Sequence, residues 1–236
     1  MKLRIAELNI EIQHRYPYLS RLCRDYLTDF EKADITVIVT EEEIDEELKN
    51  APDSHGITRS VAEATCVYRQ IALQLPQFDA FVFHAAVVEC DGVAYAFAAA
   101  SGVGKSTHAT LWLKVFGDRA DILNGDKPIF RFIGDKLTAF GTPWQGKENL
   151  GKNHSAPLRA ICFLERGAQN EIKRLEDGEA VKRLFSQILM PADPIAAMRF
   201  LELLDRTVCR IPTYLLYCNT QPEAAWVAFE GMQKET

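Results

Sequence analysis

The residues with the clearest chemical potential form one short segment, which reads Ala-Ala-Ala-Ser-Gly-Val-Gly-Lys-Ser-Thr from position 98 to 107. A loop of this kind supplies three groups to a bound nucleotide. Backbone N–H groups, which glycines allow to point inward, and a lysine bind the phosphates, and a hydroxyl coordinates Mg²⁺. The residues that supply these parts are Gly102, Gly104, Lys105 and Ser106. The segment therefore predicts binding of a nucleoside triphosphate with Mg²⁺.

The segments on either side support this prediction, although Ala99 stands where the usual pattern has its first glycine. Residues 93–98 form an apolar run typical of a strand, and residues 107–116 place apolar side chains on one helical face before Gly117. A loop between a strand and a helix N-terminus directs its amides and the positive end of the helix dipole at an anion. The residues expected to contact the nucleotide are Ser101, Gly102, Val103, Gly104, Lys105, Ser106 and Thr107, the last as a helix cap or as a contact on the adenosine side.

A carboxylate follows the next apolar strand along the chain. Asp126 comes shortly after residues 121–123, so we expect it at a strand end that faces the loop. There it would hold Mg²⁺ together with Ser106, because this cation prefers oxygen ligands. The alternative is a turn aspartate, since Asn, Gly and Pro surround it.

Two side chains in the polar loop at 141–149 have two interpretations each. Lys147 either neutralises a phosphoryl group during transfer or is an exposed loop lysine. Trp144 either stacks on a base or a substrate or anchors the loop by partial burial, which is the commoner role of such a tryptophan.

Composition limits the class of protein. The chain has 236 residues, a formal net charge of −6 and 47% hydrophobic residues, which favours a globular protein and argues against a general nucleic-acid binder. No apolar run approaches the roughly 20 residues that span a bilayer, and the N-terminus lacks a secretory apolar core. We therefore expect a cytoplasmic protein without a membrane segment. The six cysteines form no C-x-x-C pair and are expected to be buried thiols.

The pattern of apolar residues predicts two regions. Residues 1–78 are expected to form a small α+β region, and residues 79–236 a domain that carries the phosphate loop. The predicted elements of the first region are strands within 2–12 and 35–39, helices at 16–30, 40–49 and 57–75, and a polar loop at 50–56. Thr40 followed by Glu43 predicts a capping box at the start of the helix at 40–49. In the second region Asp91-Gly92 separates two apolar runs, 81–90 and 93–98, which indicates a hairpin with a type I′ turn.

The order of these features resembles the catalytic domain of the HPr kinase/phosphorylase superfamily, which is related in fold to phosphoenolpyruvate carboxykinase. The resemblance rests on His84 in an apolar run, the hairpin into Ser-Gly-Val-Gly-Lys-Ser at 101–106, and the acidic motif Asn-Gly-Asp-Lys-Pro at 124–128. The Gly-Thr-Pro-Trp-Gln-Gly-Lys segment at 141–147 is similar to one in HPr-kinase-like proteins, some of which are encoded beside peptide-modification genes. The resemblance implies an α/β fold with a mixed, partly antiparallel sheet.

It also implies a chemistry, namely transfer of the γ-phosphoryl group of ATP with Mg²⁺ to a hydroxyl of a peptide, a protein or a small molecule. Lys105, Asp126 and His84 would carry out this chemistry, with His84 as a phosphate contact or acid–base group in place of an ordinary core histidine. The superfamily commonly has two adjacent aspartates, one that acts in proton transfer from the accepting hydroxyl and one that helps to hold Mg²⁺. Asp126 matches the second and Gly125 stands at the first, so this matching implies that the proton-accepting carboxylate is missing. The alternative is therefore a catalytically impaired nucleotide-binding accessory or regulatory module. Carboxykinase chemistry would need a further metal site and substrate arginines, and the sequence indicates neither the acceptor nor the oligomeric state.

Overall fold

The computed structural model describes residues 1–50 and 56–233 of the chain. Most of the polar loop predicted at 50–56 falls on residues 51–55, outside the described residues. The α-helices of the described part are α1 (Pro17–Leu22), α2 (Glu41–Asn50), α3 (Arg59–Gln74), α4 (Lys105–Phe116), α5 (Asp177–Phe185), α6 (Pro194–Arg210) and α7 (Glu223–Gln233). The strands are β1 (Lys2–Ile5), β2 (Leu8–Gln13), β3 (Ile35–Ile38), β4 (Ala80–Val82), β5 (Ala86–Cys90), β6 (Val93–Ala98), β7 (Ala120–Asn124), β8 (Ile129–Ile133), β9 (Lys136–Phe140), β10 (Ser155–Arg166), β11 (Glu171–Arg174) and β12 (Thr213–Cys218).

The larger sheet is mixed in strand direction and has the order β4-β8-β9-β10-β6-β5-β7. Strand β10 is its longest member: its first residues pair antiparallel with β9, and its later residues pair in parallel with β6 and β12. Strand β11 extends this sheet by pairing antiparallel with β12. These pairings confirm the mixed, partly antiparallel α/β fold.

The order of β6, β5 and β7 decides where functional groups meet. Both β6 and β7 pair antiparallel with β5, so their carboxyl ends lie at one edge of the sheet together with the amino end of β5. The carboxyl ends of β10 and β12 lie at the same edge, because both are parallel to β6. The predicted hairpin at Asp91-Gly92 is confirmed, with φ of 53° and 79° at the two turn residues.

The N-terminal residues form a small sheet in the order β1-β2-β3, and α3 packs against β3 and against α2. Helix α2 begins with the predicted capping box: the Thr40 amide donates to the Glu43 carboxylate at 2.7 Å, and the Glu43 amide donates to the Thr40 hydroxyl at 3.2 Å. The core of this region continues into the larger sheet, where Val82 and Phe140 join the same buried cluster. The division of the chain at residue 78 stays a prediction.

The structure differs from the prediction in three places. The helix predicted at 16–30 ends at Leu22, because the chain beyond it turns back to β1, where the Thr28 amide donates to the Lys2 carbonyl. The apolar run 81–90 is two strands and not one, because the Ala85 amide leaves the sheet and donates to the carbonyls of Phe83 and Asp126. Strand β11 escaped prediction because none of its residues is buried, so it lacks an alternating apolar pattern.

The prediction for the cysteines is correct in part. None of them is disulfide-bonded, and Cys23, Cys66, Cys90 and Cys162 are buried, but Cys209 is exposed. Cys209 lies near the end of α6. No helix of the described residues is long and apolar enough to cross a membrane.

The aromatic core beneath α4 includes a buried histidine with a consequence for stability. His108 accepts a hydrogen bond from the Trp112 indole at 3.1 Å, and burial lowers its pKa from 6.5 to about 3. The folded protein therefore binds this proton less readily than the unfolded chain does. The contribution of the neutral imidazole to the free energy of unfolding is fully present above pH 6.5. It is lost as the pH falls toward 3.

We expect the free energy of unfolding to fall by about 1.4 kcal/mol per pH unit well below pH 6.5 because of this one group. Urea unfolding between pH 7.5 and pH 4.5 measures the slope, with His108→Gln as the matched variant that lacks the titrating ring. An equal pH dependence in both proteins would contradict the assignment.

Candidate functional site

The loop between β6 and α4, residues 99–104, is called the glycine loop below. Gly102 and Gly104 have φ of +79° and +126°, a region that non-glycine residues rarely adopt. Gly104 is the N-cap of α4 and has no side chain to cap the helix. The amides of the first helical turn therefore lack a side-chain acceptor, which is the arrangement that binds anions at helix N-termini.

Ala99 fits the loop without strain. It is not among the described residues with positive φ, so its backbone does not require glycine there. Its carbonyl accepts a hydrogen bond from the Lys105 ammonium at 3.2 Å. The departure of this chain from the usual pattern at position 99 is therefore sterically permitted.

Lys105 is half-buried at the start of α4 and faces the same cleft as Asp126. Burial lowers the pKa of its ammonium, and the negative charge of Asp126 opposes that shift. The lysine is thus a partly desolvated cation, and such a group gains more from an anionic partner than an exposed one does.

Asp126 and His84 form a pair at the edge of the sheet. The His84 Nε2 atom lies 3.1 Å from the Asp126 Oδ1 atom. His84 is not inside a strand, as the sequence suggested, but in the break between β4 and β5, where its amide donates to the Gln187 carbonyl at 2.8 Å. This break turns the imidazole out of the core and toward the carboxylate.

The carboxyl group of Asp126 is held in its ionised form. Burial raises its pKa, but the hydrogen bond from His84 and the charges of Lys127, His84 and Lys105 outweigh burial, and the pKa lies below its ordinary value. Burial likewise lowers the pKa of the neighbouring Lys127 ammonium, against the attraction of Asp126. The carboxylate therefore remains available as a proton acceptor or a cation ligand across the neutral pH range.

A fully buried asparagine fixes the position of Asp126, and sequence reasoning missed its role. The Asn124 Oδ1 atom accepts hydrogen bonds from the amides of Asp126 and Lys127 at 2.9 and 2.8 Å. Its amide group donates to Thr142, to the carbonyl at 3.1 Å and the hydroxyl at 3.2 Å. The signal in the sequence is the Asn-Gly-Asp-Lys order, which is typical of an Asx turn after a strand.

The glycine loop, Lys105 and the Asp126–His84 pair line one cleft of about 470 Å³. Its lining contains all but one of the residues expected from the sequence, namely His84, Ser101, Gly102, Gly104, Lys105, Ser106, Thr107 and Asp126, and it also contains Gly125, Lys147 and Glu148. Val103 is the exception and lines the neighbouring cleft. Glu148, a second carboxylate in this cleft, was not anticipated because nothing in its local sequence marks it.

Two glycines bring the 141–149 loop against the acidic turn. A Cβ atom at Gly125 would lie 2.7 Å from the Gln145 carbonyl oxygen and 3.1 Å from that of Leu150. Gly146 has a φ of +81°, and a Cβ there would lie 3.1 Å from the Asp126 Cβ. Gly125 is thus required by packing, and no side chain fits at that position without a shift of the loop.

A second cleft of about 420 Å³ also borders the glycine loop. It shares Gly102, Gly104 and Thr107 with the first cleft and adds the side chains of Leu111 and Leu164. The glycine loop therefore has an apolar wall beside it.

Trp144 anchors the 141–149 loop, which is the commoner of the two roles expected. Its indole N–H donates to the Ala64 carbonyl at 3.1 Å, and its ring lies 5.6 Å from that of Tyr68.

Among the described residues, no group of three or more His, Cys, Asp or Glu side chains is placed to hold a metal ion. Ser106 and Asp126 fit a cation that brings other oxygen ligands with it, as Mg²⁺ bound to a nucleotide does.

Comparison with known proteins gives structural likenesses but no match in sequence. No family model matches the chain, and no curated protein matches it by sequence. Among solved structures the chain is similar to the Hpr(Ser) kinase/phosphatase from Coxiella burnetii, with 10% identity and a TM-score of 0.38 over 63% of this chain and 94% of that chain. A likeness of this size carries no conclusion about function, so the proposals below rest on the geometry of the described residues.

Proposed function

We propose that this protein binds Mg-ATP in the cleft beside the glycine loop and transfers the γ-phosphoryl group to a hydroxyl of a peptide, a protein or a small molecule. The observation that carries the proposal is the meeting of the glycine loop, Lys105 and the Asp126–His84 pair in one cleft. Phosphoryl transfer depends mainly on positioning and on neutralising charge, and these groups suit both tasks.

The phosphate chain would lie along the glycine loop. Amides of the loop and of the first turn of α4 donate to phosphate oxygens, and Lys105 exchanges its bond to the Ala99 carbonyl for the β- and γ-phosphates. The nucleoside would occupy the adjoining cleft, against Leu111 and Leu164. Lys147 also lines the cleft of about 470 Å³, called the phosphate cleft below, where it would neutralise the transferring group.

Asp126 would act on the acceptor. Its carboxylate takes the proton of the acceptor hydroxyl as that oxygen bonds to the γ-phosphorus, while the bond from the γ-phosphorus to the bridging oxygen breaks and ADP leaves. His84 donates to Oδ1 and fixes the orientation of the carboxylate. Ser106 and the remaining Asp126 oxygen would hold Mg²⁺, which when bound neutralises charge on the phosphates.

The alternative is a nucleotide-binding accessory or regulatory module with impaired catalysis. Gly125 favours it, because the turn carries one aspartate and packing against Gln145 excludes a second one beside it. Wild-type turnover of ATP in the presence of acceptor extracts separates the two functions.

The packing of Gly125 also predicts what its replacement does. We expect Gly125→Asp to lower the free energy of unfolding by about 1–3 kcal/mol, the usual cost of overpacking, and not to raise turnover. Urea unfolding and an ATPase assay measure the two effects. A stable variant with faster turnover would show that the single aspartate limits catalysis and would support the impaired alternative.

Gly146 provides a test of the loop that closes the cleft. Gly146→Ala should lower turnover, because its methyl group would press on Asp126. The matched control is Gly134→Ala, which also has positive φ, at +59°, but has open space around a Cβ. We expect both variants to lose about 1 kcal/mol of stability through backbone strain, and only Gly146→Ala to lose activity. Equal turnover in the two variants would contradict this role of the loop.

A thermal-shift panel tests the proposal itself. Mg-ATP at 100 times its dissociation constant should add about 2.7 kcal/mol of stability by mass action, and so raise the melting temperature. ADP, GTP and pyrophosphate in the same panel show which part of the nucleotide is recognised. A melting temperature that no nucleotide changes would refute the proposed function.

A further inference from the structure

A third cleft, of about 310 Å³, lies between the N-terminal helices and the 141–149 loop, and nothing in the proposed function yet uses it. It is called the aromatic cleft below, and its lining includes Tyr18, Leu22, Val61, Thr65, Tyr68 and Trp144. These six side chains are only partly buried, so apolar and aromatic surface faces the cleft. Its size is at the lower end for ligand sites, which suits a group such as one aromatic side chain.

Helix α3 builds one wall through a single face. Val61, Ala64, Thr65 and Tyr68 follow the spacing i, i+3, i+4 and i+7, which places them in one row along the helix. The opposite wall is the 141–149 loop, tied to α3 by the hydrogen bond from the Trp144 indole to the Ala64 carbonyl. Both walls are thus fixed by secondary structure or by hydrogen bonds, so the cleft is formed before any ligand arrives.

The aromatic cleft meets the phosphate cleft at one residue that does chemistry. Asp126 and Gly146 line both clefts. Gly146 has no side chain to separate the two, and Asp126 stands at the junction with His84 on the phosphate side. A hydroxyl at this junction would have Asp126 beside it and the phosphate site beyond.

We propose that the aromatic cleft is the acceptor site, and that it takes a molecule in which an aliphatic hydroxyl is joined through a short spacer to an aromatic ring. The ring packs against Tyr68 and Trp144, whose centroids are 5.6 Å apart, and the hydroxyl reaches the Asp126 carboxylate. Such an acceptor is a peptide serine next to an aromatic residue or a small aromatic alcohol. This inference rests on the proposed function and adds the class of acceptor to it.

The transfer step at this site is the one described above for Asp126. The acceptor O–H bond breaks, its proton passes to the carboxylate, and the acceptor oxygen replaces ADP on the γ-phosphorus. The N-terminal helices and the 141–149 loop would therefore select the acceptor together, while the glycine loop and α4 would bind the nucleotide.

Calorimetric titration tests the acceptor site with defined probes. The probes are N-acetyl-Phe-Ser-amide, N-acetyl-Gly-Ser-amide and 3-phenylpropan-1-ol, added to the full chain with Mg²⁺ and a non-hydrolysable ATP analogue. We expect the Phe-Ser probe to bind at least tenfold more tightly than the Gly-Ser probe. If the acceptor is a peptide, the Phe-Ser probe should also bind more tightly than 3-phenylpropan-1-ol. Equal affinity for these two probes indicates that the acceptor is a small aromatic alcohol.

Substitutions in α3 test whether the Phe-Ser probe binds in the aromatic cleft. Thr65→Phe and Val61→Phe each place a ring inside the aromatic cleft. Each should lower the affinity for the Phe-Ser probe at least tenfold and leave the affinity for the ATP analogue unchanged. Leu73→Phe is the matched control, on the same helix at an exposed position outside the cleft.

Three results would overturn the proposal: equal affinity for the Phe-Ser and Gly-Ser probes, unchanged probe binding in both cleft variants, or weakened analogue binding in them, which would assign the cleft to the nucleotide. If the wild-type protein binds no ATP analogue, the proposed function itself has failed, so the two failures are distinguishable.

Discussion

Replacing Asp126 by Asn should lower phosphoryl-transfer turnover on the order of 10³-fold, within the range that general-base groups contribute. The amide keeps the size of the side chain but cannot take up a proton near neutral pH. It also exchanges a charge-assisted hydrogen bond from His84 for a weaker one. Steady-state ATP turnover measures the effect, and binding of an ATP analogue without Mg²⁺ should change little.

Asp121→Asn is the matched control for this prediction. Asp121 lies in the same strand, β7, but its carboxylate binds the Lys152 ammonium at 2.8 Å, away from the cleft. Because the pKa of Asp126 is depressed, its carboxylate is ionised above the ordinary carboxyl range. Turnover of the wild type should therefore show no acid limb from this group above about pH 5. An Asp126→Asn variant with turnover within a few fold of wild type would remove the carboxylate from the mechanism.

Replacing Lys105 by Ala should weaken binding of ATP on the order of 100-fold, since truncating one partner of a buried charge pair costs roughly 2–5 kcal/mol. The change removes a partly desolvated ammonium from the start of α4, together with its hydrogen bond to the Ala99 carbonyl, and keeps both glycines of the glycine loop. Equilibrium dialysis with labelled ATP measures the affinity.

The control for Lys105→Ala is Lys114→Ala, an exposed lysine in the last turn of the same helix. Both variants lose one positive charge, so a general electrostatic effect would weaken binding equally. We expect Lys114→Ala to bind ATP within about twofold of wild type, as surface charges contribute little. Equal losses in both variants would contradict a direct contact between Lys105 and phosphate.

Local patterns predicted the parts of the site that depend on neighbours in the chain. The glycine loop with its flanking strand and helix, the Asp91-Gly92 hairpin and the capping box at Thr40 are short motifs whose residues determine the backbone conformation directly. The position of Asp126 at a strand end followed from the same logic. These features need no knowledge of distant contacts.

The parts that escaped prediction depend on residues far apart in the chain. His84 leaves the sheet because its backbone binds Gln187, and Gly125 is enforced by the carbonyls of Gln145 and Leu150. The local pattern around these residues does not indicate such partners. The aromatic cleft is a further case, because α3 and Trp144 are 80 positions apart at their hydrogen bond. Only the folded structure shows that they line the same cleft as Asp126.

Titration of Mg²⁺ and a non-hydrolysable ATP analogue into the wild-type protein, followed by calorimetry, tests the central claim most directly. The geometry of the glycine loop, Lys105 and Asp126 predicts saturable binding of one nucleotide per chain, strengthened by Mg²⁺ and competed by pyrophosphate. Absence of saturable heat at millimolar nucleotide, with the protein shown to be folded by its cooperative melting, would contradict it.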